Sequence, residues 1–156
     1  MKNRIRITFF ILFTTYSLFF VIASTLAPVM AHYGHYELSA KLTSMFMYSC
    51  HQQPDRSFWL LGYPIALCCR CYGVYTATAI SSIFAMYNKL KINKYLVMLF
   101  VLISGIDIYI NYGMGIRVHN TGNVTRFIVG IMMGLLITIG INALFNIKKG
   151  DGSYEN

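Results

Sequence analysis

From Ile7 to Tyr36 the chain carries no Asp, Glu, Lys or Arg. The centre of this stretch, ITFFILFTTYSLFFVIASTL, is long enough as a helix to cross a hydrocarbon core of about 30 Å. A run like this restricts the fold more than any other feature, because lipid offers no partner for backbone polar groups and helices satisfy their own. Composition agrees: 12% of residues are charged and 56% are hydrophobic, against about 25% charged in soluble domains. A cleaved signal peptide is the competing reading of the run, since Val29-Met30-Ala31 resembles a small-residue cleavage site. The run is longer than the usual apolar region of such a peptide, which favours a retained span.

Three more apolar runs follow. The expected spans are residues 7–27, 64–87, 95–112 and 127–147, in one domain over 1–149 with a disordered tail from 150 to 156. The fold class expected is all-α, a polytopic bundle of four transmembrane helices. Leu38, Leu42, Met45 and Phe46 follow helical spacing, and Glu37 and Lys41 stand four apart. They predict a short amphipathic helix from Glu37 to about Ser49 on the outer membrane surface.

The net charge of +8 does not indicate nucleic acid, because the cations sit in short clusters between apolar runs. Anionic lipid headgroups account for them better, making the bilayer the expected partner. Lys2, Arg4, Arg6, Lys89, Lys91, Lys94, Lys148 and Lys149 fall on the side of the N-terminus. Lys41, Arg56, Arg70, Arg117 and Arg126 fall on the other. The positive-inside rule then predicts that both termini are cytoplasmic. Four of the five outer cations are Arg, whose planar fork suits carboxylate and phosphate.

All four cysteines lie between Cys50 and Cys71. Cys68 and Cys71 share one helix face near the outer boundary, and Cys69 points elsewhere. Asp107 stands about 20 Å from the inner boundary, close in depth to that pair. An ionisable residue within a span is expensive and calls for a partner; Arg70 and Arg126 are the natural ones, and helix locking is the plainer role. Three chemistries fit the cysteines. Cys50, His51, Cys68 and Cys71 make a possible tetrahedral set for zinc or another soft metal. The C-x-x-C at a helix start, beside Arg70, also suits thiol–disulfide exchange, as in quinone-linked membrane oxidoreductases. A structural disulfide from Cys50 to Cys68 or Cys71 is the third. Ion or metal permeation ranks last, because below Asp107 the spans offer only Ser, Thr, Tyr and Asn. His32, His35 and His119 read as interfacial or loop residues. Gly130-x-x-x-Gly134 reads as a close-packing helix face, and Trp59 as part of an interfacial aromatic belt.

The segments CHQ-x-P-x-R-S-F (Cys50 to Phe58) and C-x-R-C-x-G-x-Y (Cys68 to Tyr75), with Gly115, Arg117, Arg126 and Gly130 downstream, resemble an uncharacterised prokaryotic membrane-protein family carrying a domain of unknown function. The resemblance runs from about Tyr48 to Gly134. It implies that Cys50, His51, Gln52, Pro54, Arg56, Cys68, Arg70, Cys71, Asp107, Arg117 and Arg126 form one signature, and it brings no activity with it. Asn111 stands where the family pattern has Gln, and Cys69 is an added thiol. The expectation is therefore a zinc site at Cys50, His51, Cys68 and Cys71. Arg56, Arg70, Arg117 and Arg126 would surround it to bind an anionic lipid or small anionic ligand. Asp107 is the candidate catalytic base if a water completes the metal shell.

Overall fold

The computed structural model describes residues 2–87, 94–109 and 122–147. Five helices lie among them: α1 (Lys2–His32), α2 (Tyr36–Ser44), α3 (Cys69–Tyr87), α4 (Lys94–Ile108) and α5 (Asn123–Ile147). A single 3-10 turn, Pro54–Arg56, and a short antiparallel ribbon of β1 (Trp59–Leu60) and β2 (Tyr63–Pro64) lie between α2 and α3. Two stretches, Asn3–His32 and Asn123–Phe145, are long and apolar enough to cross a membrane, and Val97–Ile106 is a shorter apolar helix.

Helix α1 buries Phe10 and Phe20 together with small residues and leaves many bulky apolar side chains exposed. Its buried positions include small or hydroxylated Ser17, Ala23, Ser24, Ala27 and Ala31, while Leu12, Tyr16, Phe19, Ile22 and Leu26 point outward. Exposed bulky apolar side chains beside buried small residues suit packing in lipid, because helix contact there comes from close approach rather than from hiding apolar surface.

The centre of the bundle is α3, packed chiefly against α5 and next against α1. It buries Gly73, Ala77, Thr78, Ala79, Ser81, Ser82 and Ala85. The glycine face anticipated on α5 is used inside the bundle: a Cβ on Gly130 would strike the Arg70 carbonyl, and one on Gly134 the Val74 carbonyl. Gly73 returns the relation, its missing Cβ making room for the Phe127 carbonyl. Deeper, the Ser81 hydroxyl donates to Thr138 Oγ1 at 2.7 Å. At the far end, Arg6 Nη2 donates to the Met86 carbonyl at 3.3 Å, where a cation suits the open carbonyls of a helix C-terminus.

Several boundaries differ from the sequence expectation; α1 runs from Lys2 to His32 rather than from 7 to 27, and α5 starts at Asn123 rather than 127. The second apolar run becomes helical at Cys69 rather than Pro64, because residues 59–64 pair as a ribbon. The outer helix stops at Ser44, and successive turns carry the chain to Ser49. Phe46, expected on the membrane-facing side of that helix, is instead fully buried in the protein core.

Gly130→Ala is expected to destabilise the α3–α5 contact by about 1–3 kcal/mol through overpacking. Gly105→Ala, whose Cβ meets nothing within 4 Å, should stabilise by about 0.5–1 kcal/mol through helix propensity. Thermal unfolding of the two variants in detergent checks the opposite signs.

Candidate metal centre

The site begins with a proline. Pro28 lies inside α1 and has no N–H to give the Ser24 carbonyl one turn back. That carbonyl accepts instead from the Ala66 amide at 3.2 Å. The chain leading into α3 is thus fastened to α1. The Ala66 carbonyl in turn accepts from Gln52 Nε2 at 3.1 Å, and the same amide nitrogen donates to the Thr43 carbonyl at 2.5 Å. One side chain therefore ties the end of α2 to the segment before Cys68. Gln52 holds this position with a φ of 49°, an uncommon conformation for a residue with a Cβ. Such strain persists only where the surroundings impose it, and it concentrates at functional sites.

These ties bring three sulfurs together. The Sγ atoms of Cys50, Cys68 and Cys71 lie within 4.8 Å of one another. All four cysteines are free thiols. The Cys50 sulfur accepts from the Cys68 amide at 3.2 Å and from the Gln52 amide at 3.5 Å. Cys68 stands just before α3, and its carbonyl accepts from the Tyr72 amide at 2.9 Å. Cys71 follows one turn on, which puts both on the side facing Cys50. Cys69 is buried away from the trio, within reach of the Arg126 charge. His51 is exposed and does not join the group.

The walls are apolar. Phe20, Ala23, Ala27, Phe46, Ala66 and Leu67 pack around Cys50. Phe20 stacks on Tyr75 with centroids 4.5 Å apart, and Tyr72 shares a hydrogen bond of 3.1 Å with Thr25. In this setting the hydrogen bond to Cys68 raises the Cys50 pKa and burial adds to it, while contact with Cys71 and the two amides pull the other way. An incoming cation must displace the protons of these thiols.

The arginines assemble at the same end of the bundle. Arg70 places its charge near Cys68. Arg126 is buried and donates to Asn123 Oδ1 at 3.3 Å. Asn123 donates to the Ser57 carbonyl at 3.1 Å, tying the start of α5 to the turn that carries Arg56. Arg56 itself lies 4.0 Å from Asp55. Arg117 and His119 lie outside the described residues, as does the side chain of Asp107, whose backbone belongs to α4.

A family model described as "Predicted membrane protein (DUF2085)" matches residues 50–139, from the first cysteine of the trio to the middle of α5. The chain belongs to this family. An uncharacterized protein of Methanocaldococcus jannaschii, MJ1492, is 30% identical over 138 residues, covering 82% of this chain and 86% of its own. An uncharacterized protein of Methanothermobacter thermautotrophicus is 32% identical over 107 residues, covering 67% of this chain and 90% of its own. No solved structure matches the chain. The family region thus includes the trio, the bracing Gln52 and the glycine face of α5.

The spacing of the cysteines pointed to Cys50, Cys68 and Cys71, but not to the bracing by Gln52 and Pro28. A proline inside an apolar run signals a vacated carbonyl, yet its new donor, Ala66, is distant in sequence. Gln52→Ala removes two hydrogen bonds worth roughly 1 kcal/mol each. We expect oxidant-driven disulfide formation between Cys50 and Cys68 or Cys71, in metal-free protein, to slow on the order of tenfold. Pro28→Ala should slow it too, although the change favours helix α1 by about 3 kcal/mol in intrinsic propensity. Timed thiol labelling checks both.

Proposed function

We propose that Cys50, Cys68 and Cys71 bind one zinc ion at the outer boundary of a four-span membrane protein whose termini both face the cytoplasm. The convergence of three free sulfurs carries this reading. Zinc–sulfur bonds of about 2.3 Å place tetrahedral sulfurs about 3.8 Å apart, so a trio within 4.8 Å needs at most a small contraction to close on an ion. A structural disulfide would use two of the sulfurs and leave the third idle. Backbone amides directed at Cys50 Sγ and an apolar wall are the surroundings that hold and tune metal-bound thiolates.

With three protein ligands a fourth coordination position stays open, the arrangement of zinc sites that exchange ligands rather than closed structural ones. His51 is exposed and is therefore not assigned to the set. Arg56, Arg70 and Arg126, joined by Arg117 and with Asp107 as base for a zinc-bound water, suit an anionic ligand such as a lipid phosphate or a small carboxylate. The four-span topology rests on the apolar runs and on the cation distribution. Ala66 meets α1 at Ser24, about 12 Å of helix before its end. The trio then stands at the edge of the hydrocarbon rather than in open water.

Purification without chelator, followed by elemental mass spectrometry, should find about one zinc per chain. Ser in place of Cys50, Cys68 or Cys71 should remove it, while Cys69→Ser and His51→Ala should retain it. Because bound thiolates compete with protons, zinc is expected to leave as the pH falls. A metal-free protein in which these sulfurs cycle with a quinone between dithiol and disulfide would replace this reading with thiol–disulfide exchange.

A further inference from the structure

The segment between the ligands is unlike a loop built for water. From Ser57 to Cys69 it has no charged residue. Its middle is the ribbon Trp59–Leu60 and Tyr63–Pro64, closed by Leu61 and Gly62. Both closing residues have positive φ, 54° and 85°. A two-residue turn of that geometry favours Asn-Gly or Gly-Gly. Leucine is disfavoured there, because its Cβ crowds the following carbonyl. Turn chemistry therefore does not explain Leu61, and neither does core packing, since it is 48% exposed.

Its neighbours share this character. Trp59 is 61% exposed, and its only polar side-chain atom, the indole nitrogen, donates inward to the Pro54 carbonyl at 3.2 Å. Tyr63, on the second strand, stands near Tyr36, the first residue of α2. The ribbon also contacts α1, a helix long and apolar enough to cross a membrane. A strained conformation kept for the sake of an exposed leucine points to something that leucine must touch.

We propose that the tip Trp59–Leu60–Leu61 is seated in the leaflet at the His32 end of α1, at the level where headgroups meet acyl chains. Tryptophan prefers that level, and a charge-free tip with its indole N–H already bonded enters it without leaving that donor unpaired. Anchored there, the ribbon fixes the segment that joins Cys50 to Cys68. The proposal rests on α1 crossing the bilayer and not on the metal.

Trp59 is the only tryptophan of the chain, which makes a direct test possible. The full chain is reconstituted in phosphatidylcholine–phosphatidylglycerol vesicles, and its emission is measured with lipids brominated on the upper acyl chain and with aqueous iodide. The expected result is blue-shifted emission, quenched by the brominated lipid and shielded from iodide. Leu61→Asn should shift the emission to the red and open Trp59 to iodide without lowering the unfolding temperature, because Asn suits a left-handed turn. Quenching by iodide but not by lipid in the unaltered protein overturns the proposal, as does shielding from both, which means that another polypeptide covers the tip. A Leu61→Asn protein that unfolds at lower temperature with unchanged quenching also overturns it. Zinc content measured on the same samples separates this outcome from the fate of the metal site.

Discussion

The hydrogen bond from the Ala66 amide to the Ser24 carbonyl is the constraint on which the site depends. It exists because Pro28 cannot use that carbonyl. In an unbroken helix the bond would be internal, and the chain before α3 would lose this backbone tie to α1. The Ala66 carbonyl then anchors Gln52, and Gln52 anchors the end of α2. Three segments distant in sequence meet at one residue, and the sulfurs of Cys50, Cys68 and Cys71 follow from that meeting. A local defect in helix bonding has become a tertiary fastening, inside a region where an unbonded carbonyl is costly.

Below this knot the bundle is held by close approach. Gly73, Gly130 and Gly134 let the backbones of α3 and α5 touch, and the Ser81–Thr138 hydrogen bond joins the same pair of helices. The close packing fixes Arg70, whose carbonyl rests on Gly130, and Arg126, one turn earlier on α5. Apolar packing and site geometry are thus not separate. The helix pair that needs small residues to form also sets where Arg70 and Arg126 stand.

Much of this was legible in the sequence. The uncharged run announced α1, and Gly130-x-x-x-Gly134 announced a packed face. The C-x-x-C with Cys50 upstream announced the trio, and helical spacing turned Cys69 away. The start of α3 was not legible, because Pro64 to Leu67 are as apolar as a span and hydropathy does not register a ribbon. His51 could not be placed either. It follows Cys50 directly, in a stretch without helical geometry, and the left-handed backbone of Gln52 turns the chain at the next residue. Spacing rules describe residues on regular elements, and this part of the site stands on none.

The central claim is that three sulfurs of this chain converge on one ion with a place left open. X-ray absorption at the zinc edge of the purified protein tests it most directly. The account predicts a shell of three sulfurs at about 2.3 Å and one lighter atom at about 2.0–2.1 Å. A shell of nitrogen and oxygen alone, or one with a single sulfur, would contradict it.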